Sequence, residues 1–172
     1  MNRFVVALVL IASATVAPSC AGSGAELSGS GNGLPEVAVD FPPSAEPGSL
    51  QKARLEVVNP GPGNIGTLIV AFTRAGDPDL PTPIVDATGR RRSSAVRSVD
   101  PEPAGISTDG VVYRFSGSSA GEPFLPEGES AGITFGLIVP EEPGPAANAV
   151  QVYDGNEIDR AAGVRLETDV EG

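Results

Sequence analysis

Histidine and tryptophan are absent from the 172 residues, lysine occurs once (Lys52), and Cys20 is the single cysteine. Without histidine, and with one cysteine close to the N-terminus, the Ser-His-Asp and Cys-His arrangements are excluded, as is any zinc site of His and Cys. A lone cysteine also forbids an intrachain disulfide. No glycine-rich loop followed by Lys-Ser or Lys-Thr is present to cradle a phosphate. Positive charge is scarce: 11 Lys+Arg stand against 22 Asp+Glu, a formal net charge of −11. Such a surface repels nucleic acid and anionic headgroups, so no nucleic-acid partner is expected. Aromatics are only 5 % of the chain. A core must then be built mainly from Val, Leu, Ile and Ala, and a sugar-stacking platform lacks its preferred side chain.

What is abundant is glycine and proline, 22 and 17 residues. Long helices are not expected; frequent corners are. Residues 1–19 read as a secretory leader, with Arg3 as the positive start, Phe4 to Ala12 as the apolar centre and small residues up to Cys20. The apolar run is well short of the ~20 residues needed to span a bilayer. Losing this leader removes only Arg3 among the charges and takes the net charge from −11 to −12. Residues 20–34 hold Cys20 and a Gly/Ser-rich spacer; a flexible chain of that length spans about 20 Å. The same composition fits a disordered terminus without a spacing role. Residues 35–172 are expected to form one domain.

Within that domain hydrophobicity repeats every two residues. Leu55 and Val57 alternate with Arg54 and Glu56; then Asn59-Pro60-Gly61-Pro62-Gly63 stops the ladder. Leu68 to Phe72 follows, apolar on both faces, as a strand in the middle of a sheet should be. Val37-Val39-Phe41, Val111-Tyr113-Phe115, Ile133–Val139, Ala149–Tyr153 and Val164–Val170 supply further strands. Ala75 to Gly110 reads as irregular, with two short edge strands near Ile84-Val85 and Val96–Val99, and Glu141–Ala147 as a connection. The expected fold class is all-β: a two-sheet antiparallel sandwich of about seven or eight strands.

Two resemblances attach to particular residues. Ala17-Pro18-Ser19-Cys20 resembles the bacterial lipobox, in which the cysteine receives diacylglycerol; this implies lipidation at Cys20 and a mature protein tethered to the outer face of the cell membrane. An ordinary signal-peptidase cut nearby, giving a secreted protein, and an unmodified thiol remain the alternatives. The order Asn59-Pro60-Gly61-Pro62, Leu80-Pro81, Val112-Tyr113-Arg114-Phe115, Leu125-Pro126-Glu127-Gly128-Glu129-Ser130 and Ala147-Asn148-Ala149-Val150-Gln151-Val152 resembles an Ig-like repeat of bacterial and archaeal surface proteins. That repeat is a domain of unknown function akin to cell-adhesion modules. The resemblance covers Leu50 to Val170 as a single copy. It implies an Ig-like fold, a spacer or adhesive role and no catalytic residues.

Three places carry polar chemistry. Asp154-Gly155-Asn156-Glu157-Ile158-Asp159 offers oxygen ligands, and Asp154, Asn156 and Asp159 are weak calcium candidates. The segment lacks an EF-hand's alternating acidic core, and a polar hairpin is the plainer reading. Asp77-Pro78-Asp79 has the same status, and Ser107-Thr108-Asp109-Gly110 reads as a turn. Arg90, Arg91, Arg92 and Arg97 form the basic cluster: a solvated loop paired with Asp86 and Asp100, or a docking patch for an acidic partner. The expectation is a non-enzymatic, membrane-anchored module binding a protein partner at the cell envelope, with no cofactor. A small-ligand or Ca²⁺-binding surface lipoprotein is the alternative, and a carboxylate-based hydrolase the third.

Overall fold

The computed structural model describes residues 34–74, 82–86, 92–157 and 161–172, and all statements below concern these. Ten strands make two sheets. β1 (Glu36–Asp40), β3 (Leu50–Val58), β8 (Ser130–Ile138) and β5 (Val96–Asp100) form one, in the order β1-β3-β8-β5. The second has six strands: β2 (Ser44–Ala45), β10 (Ala161–Val170), β9 (Gly144–Asp154), β4 (Thr67–Thr73), β7 (Val112–Ser116) and β6 (Gly105–Ile106), in the order β2-β10-β9-β4-β7-β6. No helix occurs among the described residues. The all-β sandwich read from the sequence is therefore what the chain forms.

Alternation does the work expected of it. Ala53, Leu55 and Val57 of β3 are buried while Lys52, Arg54 and Glu56 face solvent. β4, flanked by β9 and β7, buries Leu68, Val70, Ala71 and Phe72. The aromatic centre joins the two layers: Phe72 of β4 and Tyr113 of β7 meet Phe135 of β8 edge-on, each at 5.1 Å between ring centres. Tyr113 is fully buried, and its hydroxyl donates to the Gly110 carbonyl at 2.6 Å. Burial pushes its pKa up to about 12; Arg92 opposes that rise and Asp109 adds to it.

The corner after β3 does not close a hairpin but carries the chain from one sheet to the other. Its Asn59 is 2 % exposed. The amide nitrogen donates to the carbonyls of Gly63 and Leu125, at 2.9 and 3.1 Å, and the amide oxygen accepts from Gly61 N–H. Gly63 N–H in turn reaches the Glu127 carboxylate, and Glu127 N–H the Asn64 side chain. Ile65 and Leu125 exchange both backbone bonds. The two proline-glycine corners are thus one clasp. Gly61 and Gly128 hold positive φ there, 80° and 79°.

Four expectations are corrected. Ile84 and Val85 form no strand: both are buried, and the segment is held by Asn148, which accepts from Val85 N–H and donates to the Val85 and Thr73 carbonyls. An amide thus replaces part of a ladder. β9 begins at Gly144, inside the span read as a connection, because Pro145 to Ala147 pair with β10 although glycine, proline and alanine are poor strand formers. Strands number ten because two-residue β2 and β6 carry too little pattern to be seen. Finally, β2 runs parallel to β10, so the sandwich is not wholly antiparallel.

Two stability predictions follow from this packing. Asn59→Ala strands two carbonyls and an N–H, and is expected to cost about 2–3 kcal/mol in urea unfolding, against less than about 1 kcal/mol for exposed Asn64→Ala. Because Tyr113 is held neutral, its share of stability is complete below its unfolded value near pH 10 and is lost as pH rises towards 12. Tyr113→Phe should cost about 1–2 kcal/mol at pH 8 and remove that part of the alkaline decline. Unfolding curves between pH 8 and pH 12 measure both effects.

Candidate functional site

A two-sheet sandwich has two open sides. On one, β5 at the border of the smaller sheet and β6 and β7 of the larger contribute residues to a common lining. A small cavity of about 190 Å³ lies there, lined by Arg92, Arg97, Glu102, Ile106 and Tyr113 among others. Two of the four arginines singled out in the sequence therefore come together, across an intervening strand segment.

Local chain geometry places each of them. Arg97 sits where the β5–β8 register slips: Val96 is opposite Leu137 and Ser98 opposite Gly136, so Arg97 is the extra residue of a bulge. A bulge turns a side chain away from the direction that plain alternation would give. Gly136 opposite Ser98 leaves room for the Ser98 hydroxyl, which a Cβ there would force to rotate away. Arg92 is placed by the turn before β7. Ser93 N–H bonds to the Asp109 carbonyl at 2.8 Å, and the Arg92 side chain lies over Gly110, where a Cβ would meet Arg92 Cγ at 2.6 Å. Gly110 also has φ of +73°, so it serves both the turn and the arginine. Among the described residues neither guanidinium has an ion-pair partner; Asp86, expected to pair with the cluster, instead meets Arg74 at 3.1 Å. Two guanidinium groups with no ion pair among the described residues, beside a small cavity that Glu102 also lines, can hold a carboxylate, sulfate or phosphate group.

Ser107-Thr108-Asp109-Gly110 is the turn read from the sequence. Ser107 Oγ donates to the Asp109 carboxylate and accepts from Val111 and Val112 N–H, so its oxygen is engaged within the turn. At the β9–β10 hairpin, Asp154 Oδ1 accepts from Asn156 N–H at 3.0 Å, an Asx turn. Asn156 lines a separate polar cleft with Asn64, Thr67 and Ser118. Among the described residues no three Asp, Glu, His or Cys side chains are grouped to hold a metal ion. Cys20, Arg90, Arg91, Asp159, Asp77 and Asp79 lie outside the described residues.

The sequence reading did not find the third feature, a cleft of about 710 Å³ at the opposite open side, lined by Val39, Phe41, Ala146 and Thr168 among others. Its one signal was Thr168, a hydroxyl in an otherwise apolar inward row of β10.

No family model and no curated protein sequence matches the chain. Among solved structures it is similar to PapD-like domain 7 of human CEP192, at 16 % identity over 99 % of both chains with a TM-score of 0.36. It is also similar to a cohesin module from a Clostridium perfringens family 33 glycoside hydrolase, at 9 % identity over 81 % of this chain and 98 % of that one, TM-score 0.48. A third is BslA, a bacterial hydrophobin, at 10 % identity over 78 % and 95 %, TM-score 0.44.

Proposed function

We propose that the chain is a non-catalytic, Ig-like interaction module held at the outer face of a bacterial membrane by a lipid on Cys20, and that Arg92 and Arg97 dock an anionic group of a protein partner. The observation that carries the docking site is the convergence of these two guanidinium groups, without an ion pair among the described residues, one set by a bulge and one by Gly110, on a single cavity. A net charge of −11 makes this pair a local exception on the surface. An acidic partner is repelled by the body at large and captured at that point, which favours selectivity over affinity. The absence of histidine from the whole sequence and the engaged state of Ser107 support a binding role over turnover. The leader, the lipobox-like residues before Cys20 and the Gly/Ser spacer support the tether.

Titration with a tetraglutamate peptide, followed by NMR, should shift the amides of Val96–Asp100 and of Gly110. Arg97→Gln is expected to weaken binding about three- to tenfold, Gly110→Ala to weaken it by displacing Arg92, and 0.5 M salt to abolish it. Equal binding by an Arg92→Gln/Arg97→Gln double variant would overturn the docking site. For the tether, mass spectrometry of the mature N-terminal peptide should find Cys20 as the first residue with a diacylglycerol mass, absent in Cys20→Ala. A wild-type peptide starting elsewhere, or free of lipid, rejects the anchor and leaves the docking reading standing.

A further inference from the structure

The buried polar side chains among the described residues are Asn59, Asn148 and Thr168. Both asparagines are fully bonded to backbone. Thr168 differs: it is 5 % exposed, and its Oγ1 has no partner. Such a hydroxyl is destabilising unless something comes to meet it. Thr168 lines the 710 Å³ cleft between β1 and the β2–β10 border.

Beside this cleft runs an unfinished sheet edge. Asp169 and Glu171 donate their N–H groups to the carbonyls of Pro43 and Ala45, on the β2 side of β10, at 2.9 and 3.0 Å. The β9–β10 register is unbroken from Ala161 to Val170, so alternation turns the N–H and C=O of Ala161, Gly163, Arg165 and Glu167 to that same side. β2 covers only Asp169 and Val170; among the described residues no strand pairs with Ala161–Thr168 there. Proteins guard such edges with charge or proline. Here Arg165 and Glu167 neutralise one another at 2.8 Å, and Ala161–Thr168 contains no proline.

We propose that this edge and its cleft receive an extended polypeptide segment of a partner protein, added to β10 in line with β2 and opposite Ala161–Glu167. Alternating donors and acceptors at strand spacing are matched by a peptide backbone and by no common small ligand. The self-neutralised edge asks for a segment of little charge. A second copy of this chain is disfavoured as occupant, because each body carries −11. The inward-turned side chains of the added segment enter the cleft over Val39, Phe41 and Ala146, and a hydroxyl or amide among them bonds Thr168 Oγ1 after rotation about its χ1, since that oxygen is closed off from solvent as it stands. This surface lies on the opposite open side of the sandwich from Arg92 and Arg97 and does not depend on them.

The test uses a blocked heptapeptide of alternating threonine and valine, titrated into the ¹⁵N-labelled protein. Shifts should be confined to β10, β2 and β1, with new exchange protection at the amides of Gly163, Arg165 and Glu167. Gly163→Pro deletes an N–H that does not serve β9, in a position with open space around it, and should weaken binding at least about tenfold. Thr168→Val should raise the Tm while weakening the peptide about three- to tenfold, and the same peptide N-methylated at alternate residues should not bind. No shift at millimolar peptide overturns the proposal. So does protection of those amides in the free protein at every concentration, which would place the chain's own residues on the edge, or protection that grows with protein concentration, which would place a second copy there.

Discussion

The amide of Asn59 is the contact on which the two layers depend. A sandwich needs its crossover corners fixed, because a corner free to slide lets one sheet shift over the other and opens the core. Here one short side chain binds its own corner through Gly61 and Gly63 and the opposing corner through Leu125. Two donors and one acceptor are needed at a single buried point. Aspartate would lack the donors, serine would not reach, and glutamine would lose more rotamer freedom. The backbone of Asn59 adds bonds to Glu129 and Gly128, so the amide sits in a frame that cannot relax around its loss.

Asn148 repeats the solution in the larger sheet. Where β4 leaves β9 after Thr73, the amide receives Val85 N–H and bonds the Thr73 and Val85 carbonyls, holding buried Ile84 and Val85 over the core. Both asparagines make irregular backbone tolerable inside the fold. They also make the lone hydroxyl of Thr168 conspicuous, since the protein satisfies its other buried polar side chains among the described residues in full.

Most of the sandwich was legible because its signal is local. β1, β3, β4, β7, β8 and β10 each alternate or run apolar within their own residues, and the corner from Asn59 to Gly63 and the turn at Gly110 announce themselves by composition. What escaped depends on partners distant in sequence. Gly144-Pro145-Ala146-Ala147 looks like a connection and is a strand only because β10 lies beside it. The β-rich pair Ile84-Val85 looks like a strand and is not, because Asn148 takes its backbone bonds. The gathering of Arg92 and Arg97 was half visible: composition marks the cluster, but the bulge that turns Arg97 exists only in the register against Gly136. Asn59-Pro60-Gly61-Pro62-Gly63 reads on its own as the end of a ladder, and its union with Leu125 through the Asn59 amide is a long-range fact.

The two open sides are not equivalent with respect to a tether. The described chain enters at Leu34 and at once forms β1, the border strand next to the β10 cleft. β5 and the arginine pair lie at the other end of that sheet, three strands along its order. Under the tether proposed at Cys20, attachment would come from the β1 side of the body, and the net charge of −11 would oppose its close approach to anionic headgroups. Arg92 and Arg97 stand on the side remote from β1. If the tether proposed at Cys20 holds, an acidic partner would meet Arg92 and Arg97 on the side of the body away from β1, where the attachment does not obstruct it.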